Sequence, residues 1–176
     1  MLDNIKKLRE ITSLGVNDCK KALEEAHGDF NKALEILKKR GAEVMEKKKS
    51  RVTLQGRIES YVHFSGNLGS LVELNCETDF VSNTEVFKKF AKDLAMHIAA
   101  ASPKYITRQD IPKEIQGNIT EIDEYAKKNC LLEQPFIKDD TITVGQYLQN
   151  VIAQTGENIV IKRFSRFCLG EYENEI

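Results

Sequence analysis

An α+β fold is what this sequence predicts, and three observations carry the prediction. Apolar residues recur at helical spacing three times within residues 2–37. The period changes to two across residues 56–76. A long helical stripe from Glu85 is followed, near the C-terminus, by one more alternating run. Strands and helices do not alternate as βαβ units, so three strands should form an antiparallel sheet with helices packed on it.

The chain has 176 residues, 41% of them hydrophobic, which suffices for one medium core or for one core plus a small satellite. The net charge of -1 hides a split. Residues 1–53 carry 13 Lys+Arg against 9 Asp+Glu, and residues 54–176 carry 13 against 18. Such asymmetry suits two modules: a three-helix module at 1–41, a charged linker at 42–53, an α+β core at 54–170 and a polar tail at 171–176. No apolar run approaches the roughly 20 residues that span a bilayer, and "MLDNIKKLRE" lacks the apolar centre of a signal peptide. A cytoplasmic protein that needs no membrane is expected.

In the first module Leu2, Ile5 and Leu8 form one stripe, Cys19, Ala22, Leu23 and Ala26 a second, and Phe30, Ala33, Leu34 and Leu37 a third. Gly28 and Gly41 stand where left-handed C-terminal caps belong, and Asp29 is placed to cap the start of the third helix. "AEVMEKKKS" has no apolar stripe and reads as a solvated helical or extended linker. Next, Ile58, Val62 and Phe64 share one face of a strand, "SGNLG" supplies a hairpin turn, and Val72, Leu74 and Cys76 alternate against Leu71, Glu73 and Asn75. Ser82 and Glu85 have capping-box spacing ahead of Phe87, Phe90, Leu94 and Ile98. "ASPKYITRQDIP" breaks that helix, and Ile115, Ile119 and Ile122 mark another. Thr143 and Gln146 repeat the capping spacing, Gly156 ends the helix they start, and "ENIVIKRFSRFCLG" reads as the last strand, with a bulge where its alternation slips between Ile161 and Phe164.

Signals for bond chemistry are missing. His27, His63 and His97 lie on three different elements, without a metal-ligand partner at i+3 or i+4. Nucleotide-binding loops and a nucleophile elbow are absent. Cys19, Cys76, Cys130 and Cys168 stand singly, as reduced structural thiols do; Cys168, near the polar tail, is open to a free thiol or an intermolecular disulfide. Cys76 beside Glu77 and Asp79 makes a poor nucleophile, since flanking carboxylates raise a thiol pKa. Lys47, Lys48, Lys49 and Arg51 lack interleaved aromatics in an acidic chain and read as a solvated face, not a nucleic-acid site. No cofactor and no metal are expected. Interaction remains, and "NCETDFVS" suits it. The helix that follows already carries Phe87 and Phe90, so Phe80 is a spare ring, flanked by Thr78 and Asp79 as hydrogen-bonding groups around an aromatic anchor.

Four segments in order resemble the elongation factor Ts family, bacterial and organellar exchange factors for elongation factor Tu. They are "LREITSLGVNDCKKALEEAHGDFNKALEILKKRG", "VELNCETDFV", "LLEQPFIKDDTITVGQYL" and "GENIVIKRFSRFCLGE". The resemblance implies a ubiquitin-associated-like N-terminal module that meets the partner's nucleotide domain through Arg9, Val16, Asn17 and Lys20. It also implies an Asp79–Phe80 wedge, flanked by Thr78 and Val81, that loosens Mg²⁺ and GDP on the partner without bond chemistry. Ser13 and Leu14 replace the family's usual Gly-Ala, and Val16 and Asn17 replace two larger hydrophobics. The length suits the short form of the family, with room for one half of its double core, so a homodimer that rebuilds the second half is expected. From sequence, Arg163, Phe164 and Phe167 face either elongation factor Tu or that second copy. A different class of function, a helical module that binds a peptide or adaptor with the α+β part as scaffold, is separated from exchange by the Phe80 loop.

Overall fold

The computed structural model describes residues 2–12, 14–48, 50–116 and 122–171. Ser13, Lys49, Ile119 and tail residues 172–176, all read above, lie outside the described residues. Three helices come first: α1 (Leu2–Thr12), α2 (Val16–Glu25) and α3 (Phe30–Lys48). Their stripes meet in one small core of Ile5, Leu8, Cys19, Ala22, Leu23, Ala26, Ala33 and Leu37. Gly28 is left-handed at φ 86°, and its N–H reaches the Leu23 carbonyl at 2.8 Å, closing α2 as expected of a glycine there. The carboxylate of Asp29 accepts from Asn31 and Lys32 N–H at 2.9 and 3.1 Å, the cap that its position predicts. Gly41 differs from expectation. The helix runs through it to Lys48, since a glycine that the backbone does not bend at costs a helix only about 1 kcal/mol.

The sheet comprises β1 (Gln55–Val62), β2 (Leu68–Cys76) and β5 (Ile159–Cys168), all antiparallel, with β2 in the centre. Val72, Leu74 and Cys76 point to the core. The register between β2 and β5 jumps from Glu73 opposite Arg163 to Leu74 opposite Ile161. Lys162 is thus the extra residue of a bulge, at the slip seen in the sequence. Ile58 and Val62 share a face, and it is the outer one: both are exposed, as is Phe64 beyond the end of β1.

After a single turn, α4 (Asp79–Ser82), comes the long helix α5 (Glu85–Ala101). Its N-cap is Thr84, whose hydroxyl accepts from Phe87 N–H at 3.3 Å. Ser82, which has the capping spacing, instead donates to the Asp79 carbonyl at 2.8 Å and closes α4. Ser70 Oγ–H to the Ala95 carbonyl at 2.6 Å and Arg166 Nε–H to the Ala99 carbonyl at 2.9 Å tie α5 to the sheet. Of the helix expected around Ile115, Ile119 and Ile122, the described residues show α6 (Lys113–Gln116) and α7 (Ile122–Asn129). A small hairpin, β3 (Pro135–Phe136) with β4 (Asp139–Thr143), had no clear signal, since its strands are too short for a period to show. The final helix α8 (Val144–Thr155) starts with both bonds of the capping box, Gln146 N–H to Thr143 Oγ at 3.1 Å and Thr143 N–H to Gln146 Oε1 at 2.8 Å. It ends at Gly156, left-handed at φ 76°. Phe87, Phe90, Leu94 and Ile98 of α5 and Leu148, Val151 and Ile152 of α8 fill the main core with the inner sheet face. No helix among the described residues is long and apolar enough to cross a membrane.

Candidate functional site

Cys76, the last residue of β2, pairs with Ile159, the first of β5. The segment after β2 and the segment before β5 therefore emerge side by side at one end of the sheet. They are joined by a crossed exchange of side-chain bonds. Glu157 Oε2 accepts from Thr78 N–H at 3.0 Å, and Glu157 Oε1 accepts from the Thr78 hydroxyl at 2.6 Å. In return, Glu77 Oε1 accepts from Asn158 N–H at 2.6 Å. Asn158 Nδ2 donates to the Arg51 carbonyl at 3.1 Å, and Lys48 Nζ donates to the Gly156 carbonyl at 2.8 Å, so the end of α3 and the chain leading to β1 meet the same corner.

Thr78 is the N-cap of α4, its hydroxyl accepting from Val81 N–H at 3.5 Å. Val81 and Ser82 are buried, whereas Asp79 and Phe80 face outward. The ring of Phe80 is 82% exposed, against complete burial of Phe87 and Phe90. An exposed aromatic on a turn whose first residue is clasped from across the sheet presents its area already ordered. The carboxylates of Glu77, Asp79 and Glu157 surround its base, with Arg51 Nη1 3.4 Å from Glu77.

The cysteine at this corner is not set up as a nucleophile. The thiol of Cys76 donates to the Thr78 carbonyl at 3.0 Å, and burial, then the Glu157 carboxylate, push its pKa up to about 11. It is a protonated structural thiol near neutral pH. The sequence argument anticipated the direction, but the main charge beside the sulfur is Glu157, from a distant segment. Among the described residues, no group of three His, Cys, Asp or Glu side chains is gathered as metal ligands would be.

The four N-terminal residues stand elsewhere. Val16, Asn17 and Lys20 are exposed on the first turns of α2, Lys20 within 3.8 Å of Glu24. Arg9 is exposed on α1, near the Cys19 thiol, whose pKa burial pushes up, with Asp18 adding to the rise and Thr12 and Arg9 opposing it. The two predicted sets thus rest on separate cores, Thr78–Val81 on the sheet core and the other four on the helical one. Glu157 and Asn158 were missed because only chain folding brings them to Thr78 and Glu77, and Glu77, adjacent to Thr78 in sequence, was read only as a neighbour of Cys76. The one local hint is the polar pair Glu157-Asn158 directly after a helix-ending glycine.

The sequence model of the family described as "Elongation factor TS" matches residues 2–124 and 115–171. The chain belongs to the elongation factor Ts family. It is 47% identical to the elongation factor Ts of Carboxydothermus hydrogenoformans over 190 residues, covering 95% of this chain and 88% of that protein. It is also 47% identical to the elongation factor Ts of Thermotoga petrophila over 195 residues, 98% of each chain, and 45% identical to that of Thermoanaerobacter sp. strain X514 over 190, covering 95% and 93%. These alignments are longer than the 176 residues available, so these elongation factor Ts relatives carry residues that this chain lacks. Both candidate contact sets fall inside the first matched stretch, and the Glu157 side of the corner falls inside the second.

Proposed function

We propose that this chain binds elongation factor Tu and promotes release of its GDP, so that GTP can bind, with Asp79 and Phe80 as the wedge. Family membership supports the partner. The observation that carries the wedge is an exposed ring on a turn fastened to the sheet by Glu157 and Glu77. Burying that ring in a cleft of the partner gives free energy that offsets displacement of the partner's phosphate-binding backbone, loosening Mg²⁺ and diphosphate together. Coupling is reciprocal: a protein that weakens GDP on its partner is weakened by GDP to the same factor, and GTP completes the cycle. No bond is made or broken, so this protein acts as an exchange factor and not as an enzyme, in the cytoplasm with its partner. Arg9, Val16, Asn17 and Lys20 supply a second contact, on the partner's nucleotide domain.

A homodimer is the second part of the reading. On the outer sheet face Ile58, Val62, Leu71 and Phe167 are 68, 68, 45 and 63% exposed. A sheet needs a layer on each apolar face, and an identical sheet from a second copy supplies it with self-complementary chemistry. Arg163 lies on the same outer face, opposite Glu73 and bonded to it at 2.6 Å, which favours the second copy for Arg163 and Phe167; Phe164 packs inward.

Release of fluorescent GDP from elongation factor Tu, with and without this protein, tests the function. Acceleration at substoichiometric amounts is expected, and an unchanged release rate would refute it.

A further inference from the structure

We infer that Glu157 is a positioning residue for Phe80, an inference that rests on the wedge reading above. The turn carrying the ring, Asp79–Ser82, is four residues long. A single helical turn does not sustain itself, because fixing its backbone costs more than its few hydrogen bonds return. Its direction must come from outside. The hydroxyl of Thr78 has one proton and two lone pairs. Glu157 Oε1 takes the proton at 2.6 Å, which turns the lone pairs toward the Val81 N–H that the cap must satisfy. Glu157 Oε2 holds the Thr78 backbone N–H at 3.0 Å, so both oxygens of one carboxylate are spent on one residue. That carboxylate is itself aimed by two constraints. It follows Gly156, whose left-handed backbone ends α8, and Asn158 behind it is held by Glu77 at 2.6 Å. A clasp across 79 positions of sequence thus sets the base of Phe80, and with it the angle at which the ring leaves the sheet.

On this reading Glu157 acts through Thr78 and does not meet the partner. A merely structural role would stitch the corner together whatever stands at position 80. A double-mutant cycle on full-length chains, read by fluorescent-GDP release from elongation factor Tu, separates the two. Glu157→Ala in the otherwise native chain is expected to lower the maximal stimulated release about tenfold, the size of one lost charge-assisted hydrogen bond. In a Phe80→Ala background the same change should cost less than about twofold, because its effect travels through the ring. Glu157→Gln keeps one acceptor and the side-chain shape, so it should fall between, and the same cycle is run with it should the alanine variant not fold. Equal losses in both backgrounds, or no loss from either variant while Phe80→Ala is impaired, would overturn this inference alone. No loss from Phe80→Ala itself would overturn the wedge reading and this inference with it.

Discussion

On the wedge reading, Phe80→Ala should separate recognition from folding. The ring is 82% exposed, and the bonds that hold its turn come from backbone groups and from Thr78, Ser82 and Glu157, none of which the substitution removes. Alanine is also the better helix former, by about 0.5 kcal/mol. Stability should therefore move by no more than about 0.5 kcal/mol, as for an exposed position away from any special feature. Phe87→Ala, at a fully buried ring on the next helix, should by contrast cost about 3 to 5 kcal/mol. In the complex the balance inverts. Burying a phenylalanine is worth about 1.5 to 3 kcal/mol, and about 1.4 kcal/mol is a factor of ten, so losing the ring should cut exchange about ten- to a hundredfold. Stopped-flow release of fluorescent GDP, with denaturant unfolding on the same samples, reads both quantities. A folded Phe80→Ala protein that accelerates release as the native chain does would show that the exposed ring is not the wedge.

Two further outcomes are expected. His97 is buried, its Nδ1 accepts from Ile137 N–H at 3.3 Å and its Nε2 lies 3.0 Å from Gln134 Oε1; burial lowers its pKa. The folded state therefore resists the proton that the unfolded state binds, so stability is full above about pH 6.5 and falls below it, by up to about 1.4 kcal/mol per pH unit, until the lowered folded pKa is reached; a difference in unfolding free energy between the native chain and His97→Gln that stays constant from pH 7.5 to 5 would refute it. Leu71→Asp on the outer sheet face should convert a dimer to a monomer in sedimentation, whereas reductant or Cys168→Ser should not, since apolar area holds the pair; a native chain that is monomeric at every concentration under reducing conditions would refute the dimer.

How much could be seen in advance depended on how locally each feature was encoded. Period alone marked the three N-terminal stripes, β2 and the long helix, because an apolar face repeats many times in each. Capping chemistry was legible where side chain and backbone lie three residues apart, as at Asp29 and Thr143. At Ser82 it failed, because a second hydroxyl, Thr84, sits two residues on and takes the role. The β3–β4 hairpin was illegible, since a pair as short as Pro135–Phe136 has no period. The ring of Phe80 stood out by being surplus to its helix. The clasp that aims it did not, because Thr78 and Glu157 are linked by the closing of the sheet and by no spacing along the chain.

The unbroken run of α3 past Gly41 bears on how a two-footed grip would work. A coil between two feet fixes only how far apart they can reach, whereas a helix, rising about 1.5 Å per residue, also transmits heading from one to the other. On the proposed reading, once the N-terminal foot had landed, the second would arrive partly pointed, at a high local concentration set by the strut and the short segment after Lys48. Gly41 is the weakest helix former in that strut: a methyl group there would touch nothing within 4 Å, so a single added carbon would stiffen it without a steric cost.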